Sequence, residues 1–100
     1  MPKAYVIFTE TIHDPEGMNA YGAKAMPTIM KSAKVLTVDD SPVVLEGEWP
    51  GQRTVMLEFS SVEEARAWCD SPEYQEAIPL RQAAGDCNAV ILQGFELPAR

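Results

Sequence analysis

Two cysteines, one histidine and eight basic residues are all that this 100-residue chain holds of the groups that build disulfide frameworks, metal centres and nucleic-acid surfaces. Cys69 and Cys87 have no CxxC spacing and no histidine near them in sequence, so neither a disulfide scaffold nor a metal site is expected, and the chain reads as reduced and cytoplasmic. The basic residues are scattered and outnumbered by fifteen acidic ones, for a net charge of −7. A polyanion is repelled by that balance, which sets aside nucleic acid and anionic membrane surfaces as partners. No apolar run approaches the roughly 20 residues needed to cross a bilayer. The short run from Ala4 to Phe8, closed by Thr9 and Glu10, lacks the length and cleavage region of a signal peptide. A phosphate-cradling glycine loop and a nucleophile elbow are also missing, and no cofactor is expected.

What is present reads as one domain over residues 1–100, with no linker, repeat or low-complexity tract. A chain of this length buries only about two-thirds of its unfolded surface, so a partner subunit would add useful burial. Lys3 to Thr11 is aromatic and β-branched and predicts a strand, apolar on both faces, with Ala4, Val6 and Phe8 on one and Tyr5 and Ile7 on the other. Asp14-Pro15-Glu16 is a helix start, and Met18, Tyr21, Ala25 and Ile29 fall on one stripe behind it. Pro27 inside that pattern predicts a kink or two abutting segments.

Val35 to Val38 and Val43 to Leu45 are short β-rich runs separated by Asp39-Asp40-Ser41-Pro42, either one bent strand or two short ones. Arg53 to Phe59 predicts the next strand, with Val55, Leu57 and Phe59 facing one way and Met56 and Glu58 the other. Ser61 and Glu64 fit a capping box, and Val62, Ala65, Trp68 and Cys69 form the apolar side of the helix that follows. Ser71-Pro72-Glu73 restarts the chain as a second segment, in which Pro79 predicts another break and Gly85 a left-handed stop. Asn88 to Leu97 predicts the last strand, ending in a frayed Pro98-Ala99-Arg100.

The order is β-α-β-β-α-β, with the second helix in two parts. It is the ferredoxin-like, split βαβ arrangement of the α+β class, with right-handed crossovers setting the helices on one face of an antiparallel sheet. The open face, apolar too, wants cover, and a two-fold homodimer with its sheets face to face as a barrel is the simplest way to supply it.

Leu45-Glu46-Gly47, Trp49-Pro50, Glu58-Phe59, Ser61, Ala65, Trp68 and Ser71-Pro72-Glu73-Tyr74-Gln75, together with Asp14-Pro15, Tyr21 and Pro27, resemble the domain of unknown function 1330 family, of the dimeric α/β-barrel superfamily. The Ser-Pro-Glu-Tyr segment after a Trp-bearing helix is the most specific part. The resemblance implies the fold and the dimer, with no assigned activity. It also implies that a small-molecule pocket lies between sheet and helices, near Tyr21, Trp68, Tyr74 and Arg81.

Histidine is the side-chain type best suited to general-base work near neutral pH, and His13 could serve so from the loop before the first helix, although a solvated loop histidine beside a cap is the plainer reading. Glu58 on an apolar strand could move a proton if buried, and its plainer role is a structural ion pair with Arg53 or Arg81. Arg81 could bind a carboxylate through its guanidinium, or form a salt bridge. Tyr21 and Tyr74 could orient a ligand, while Trp49 and Trp68 read first as core or interface anchors. Since no pair of residues is committed to a reaction, binding of a small organic ligand leads. A cofactor-independent monooxygenase, isomerase or decarboxylase, which the resemblance permits, is the alternative, and a purely structural dimer is the third reading.

Overall fold

The computed structural model describes residues 2–98. Met1, Ala99 and Arg100 fall outside them, and with them the end of the expected frayed tail. The central strand is β1 (Ala4–Ile12), which pairs antiparallel with β3 (Arg53–Phe59) on one side and β4 (Gly85–Gln93) on the other. With β2 (Lys34–Asp39) outside β3, the sheet order is β2-β3-β1-β4, the ferredoxin-like topology. Strand alternation sends Ala4, Val6 and Phe8 to the same side as Leu57 and Phe59, and all five are buried. Against them pack Met18, Tyr21, Ala25 and Ile29 of α1 (Pro15–Ser32), Ala65 and Trp68 of α2 (Val62–Asp70), and Tyr74, Ala77 and Ala84 of α3 (Pro72–Ala84). The helices cover one face only. On the other, Val90 and Leu92 remain 50% and 47% exposed.

The helix starts use the capping chemistry legible in the chain. Asp14 accepts from the Gly17 amide at 3.1 Å, and Ser61 accepts from the Glu64 amide at 3.1 Å. Ser71 serves two helices: its hydroxyl donates to the Trp68 carbonyl at 2.8 Å, ending α2, and accepts from the Tyr74 amide at 3.3 Å, starting α3.

Five local expectations are corrected. Helix α1 runs through Pro27 as one element rather than two abutting segments, and α3 likewise runs through Pro79. Each proline sits on the exposed side, where the buried stripe opposite holds the helix together despite one missing hydrogen bond. Val43–Leu45 is no strand: it lies in the 40–52 loop, with Val43 and Leu45 85% and 91% exposed. Gly85 is extended (φ −174°), opening β4 rather than stopping α3 in a left-handed turn. A side chain there would collide with the Thr11 carbonyl, so glycine is needed for close approach. Strand β4 consequently starts three residues before Asn88 and ends at Gln93, leaving Phe95 and Leu97 exposed.

The 40–52 loop is tied back at both ends. Ser41 donates its amide to Asp39 at 2.8 Å, and Trp49 donates its indole N–H to Thr54 at 2.8 Å. Gly51 has φ +110°, and a Cβ there would lie 2.8 Å from the Glu10 amide nitrogen. Gly51→Ala is therefore expected to lose about 2 kcal/mol of stability in urea unfolding. A loss within experimental error would show that the loop relaxes freely.

Candidate functional site

Tyr21 of α1 and Tyr74 of α3 meet over the sheet, their hydroxyls 2.8 Å apart and their rings edge to face. Trp68 stacks on Tyr74 with ring centroids 4.0 Å apart, and Phe59 and Phe8 flank Trp68 from the strands. The Trp68 indole N–H donates to the Thr28 hydroxyl at 3.0 Å, which fixes the ring between α1 and α2. Burial pushes both tyrosine pKa values up, so the pair stays un-ionised near neutrality.

Arg81 projects from α3 onto this aromatic layer. Its guanidinium carbon lies 5.3 Å from the Phe8 ring centre and 5.9 Å from that of Tyr21, within cation–π range. The residue is only 8% exposed and its Nε has no hydrogen-bond partner. The ion pairs among the described residues are Lys3–Glu58, His13–Asp86, Lys24–Glu76 and Arg53–Asp40, and Arg81 is in none of them. Burial works against its charge, but Tyr74, Cys87 and Tyr21 beside it more than offset this and hold its pKa above the ordinary arginine value.

Two cavities flank the layer. The larger, about 430 Å³, lies between β1, β4 and the α2–α3 pair, lined by Val6, Phe8, Tyr74, Ile78, Arg81 and Ile91 among others. It falls within the usual size range of small-molecule sites. The smaller, about 130 Å³, lies between α1 and strands β1 to β3, and holds Glu10, Tyr21, Arg53 and several aliphatic side chains.

Glu10 is a functional candidate that the sequence pattern did not single out. It is 3% exposed, and burial pushes its carboxyl pKa up, with Arg53 and Arg81 pulling the other way. Arg53 is engaged with Asp40, so its charge is shared. The signal was available: the inward set 4, 6, 8 continues to 10. A raised carboxyl pKa means the folded state holds its proton more tightly than the unfolded chain does. The stabilisation is complete below the ordinary glutamate pKa and is lost as pH rises through the folded-state value. Glu10→Gln, which cannot ionise, is expected to be more stable than wild type at pH 8 by on the order of 1 kcal/mol, with the gain vanishing near pH 4. Thermal unfolding across that pH range checks this, and a gain independent of pH would contradict it.

The two residues considered for proton transfer lie elsewhere. His13 is exposed before α1 and pairs with Asp86 at 2.9 Å, away from both cavities. Glu58 is on the open sheet face, paired with Lys3 at 2.9 Å rather than with Arg53 or Arg81. Of the four expected pocket residues, Tyr74 and Arg81 line the larger cavity, Tyr21 the smaller, and Trp68 neither of these but a third, of about 160 Å³, with Thr28, Lys31, Ser71 and Glu73. Both cysteines are free thiols with pKa values pushed up by burial, which makes them poor nucleophiles. Among the described residues no His, Cys, Asp and Glu cluster could hold a metal ion, and no helix is long and apolar enough to cross a membrane.

The family model described as "Domain of unknown function (DUF1330)" matches residues 3–95. Among solved structures, the methylated RPA0582 protein superposes with a TM-score of 0.74 at 21% identity, covering 95% of this chain and 82% of that one; RPA0582 is a protein of unknown function from Rhodopseudomonas palustris. SnoaB, a cofactor-independent oxygenase from Streptomyces nogalater, gives a TM-score of 0.68 at 8% identity over 97% of both chains. A dimeric ferredoxin-like protein of unknown function from Thermobifida fusca gives 0.63 at 16% identity, covering 92% and 91%. At these identities the likeness is one of fold. Comparison with curated proteins finds no match.

Proposed function

The chain belongs to the DUF1330 family of domains of unknown function, and on that premise we propose that it is a cytoplasmic homodimer that binds a small organic ligand between sheet and helices. The observation that carries the reading is Arg81: a residue 8% exposed, outside every ion pair among the described residues, at the wall of a 430 Å³ cavity. A buried cation outside any ion pair, with Nε left without a hydrogen-bond partner, is unfavourable, and such groups cluster at functional sites. Tyr74 lines the same cavity, and Tyr21 supports Tyr74 from behind through the hydroxyl bond.

The dimer is supported by the open face, where Tyr5, Ile7 and Met56 are half-buried and Val90 and Leu92 exposed. Contiguous apolar surface of this kind is uncommon on a monomer. A fold relative is itself described as dimeric. The net charge of −7 argues against a polyanionic partner, and the two free thiols suit a reducing compartment.

A second reading is a cofactor-independent enzyme, and one observation favours it: Glu10, a buried carboxyl holding its proton more tightly than usual, sits beside Tyr21 in the adjacent cavity. Native mass spectrometry of freshly purified protein tests the leading reading, with a dimer carrying a discrete added mass as the expected spectrum. A bare monomer would contradict it.

A further inference from the structure

We propose that the larger cavity takes a small organic acid, with its carboxylate on the Arg81 guanidinium and its apolar body against Phe8, Ile78 and Ile91. The inference rests on the ligand-binding reading above and names the class of ligand. Three features of the site lead to it.

The two aromatic rings lie within cation–π range of the guanidinium, at 5.3 Å for Phe8 and 5.9 Å for Tyr21, so they satisfy its π-face and not its N–H donors. Those donors lie in the guanidinium plane, and Nε is one with no partner at all. A carboxylate is the planar acceptor that meets such an edge with two parallel bonds. The surroundings set the buried Arg81 beside apolar walls in Val6, Ile78 and Ile91, with Tyr74, Gln75 and Arg66 among the polar members of the lining. The apolar part of that lining suits the organic body of a monoacid better than a phosphate dianion, which has no apolar surface to set against it. Arg66, exposed at the rim of the same cavity, adds positive potential at its mouth on a chain that is otherwise acidic, and so favours entry of an anion.

The test is calorimetric titration of the full chain with 3-phenylpropionate, hexanoate and indole-3-acetate, each beside its primary amide, with inorganic phosphate as a further probe. The amides keep the shape of the acids and lose only the charge, so wild-type protein alone decides the question. At least one acid is expected to bind tenfold or more tightly than its amide, and Arg81→Gln is expected to erase that difference. Equal binding of acid and amide would overturn the carboxylate assignment while leaving the cavity as a ligand site. Phosphate binding as tightly as the best acid would overturn it in favour of a bare anion site. No binding by acid or amide would overturn both the inference and the reading on which it rests. Should Arg81→Gln fail to fold, the ratio of acid to amide affinity in wild type still decides between these outcomes.

Discussion

Trp68→Ala is expected to lower the free energy of unfolding by about 3–5 kcal/mol, which is a large share of the stability of a small domain. Trp68 is 3% exposed and touches Phe8, Phe59 and Tyr74, so its removal opens a void in the middle of the aromatic layer. It also strips the Thr28 hydroxyl of its indole donor. The layer cannot collapse to fill the gap, because Phe8 and Phe59 are fixed on neighbouring strands and Tyr74 is held by Tyr21 and by the Ser71 cap. Trp68→Phe restores most of the apolar volume without the N–H, and is expected to lose less than half as much. Denaturant unfolding followed by far-ultraviolet circular dichroism measures both variants. A loss below about 1 kcal/mol for the alanine variant would mean that the layer is not the centre of the core.

Leu92→Asp is expected to abolish the proposed dimer at micromolar concentration, raising its dissociation constant a hundredfold or more, while the monomer stays folded. Leu92 lies on the open face opposite Tyr5, is 47% exposed in the single chain, and has no part in the buried cluster. In the single chain, aspartate there keeps its water. Between two packed sheets it would be stripped of solvent, with the nearby Lys3 already engaged by Glu58, and a two-fold axis would place two such charges in one interface. Sedimentation velocity distinguishes the outcomes. A variant that still sediments as a dimer would place the interface elsewhere.

The fold was legible because the sequence writes its element boundaries in capping chemistry. Asp14, Ser61 and Ser71 each accept the amide bond that their position predicts. The grouping of Tyr21, Tyr74 and Arg81 came from the family resemblance, which implies a pocket between sheet and helices, and not from spacing in this chain; the structure sets Tyr74 and Arg81 on one cavity and Tyr21 on another. What the chain did not reveal depends on distance in sequence. Lys3 reaches Glu58 across 55 positions, and His13 meets Asp86 across 73, pairings that only strand register creates. Gly85 misleads because a glycine after a helix suggests a left-handed stop, whereas here it is the crossing of β4 over the Thr11 carbonyl that excludes a side chain. Pro27 and Pro79 suggest broken helices, yet the buried stripes of α1 and α3 carry the chain past them. Glu10 is easily missed because it closes an apolar run, although the same alternation that turns Phe8 inward turns Glu10 inward too.

The most direct test of the ligand site between sheet and helices is nuclear magnetic resonance of isotope-labelled protein, following the Arg81 Nε–H and the backbone amides as 3-phenylpropionate is added. A large shift of the Arg81 Nε–H, accompanied by shifts at Tyr74, Ile78 and Ile91, is the result the structure predicts. Shifts gathered instead on the open face at Tyr5, Ile7 and Leu92, with Arg81 unmoved, would contradict it.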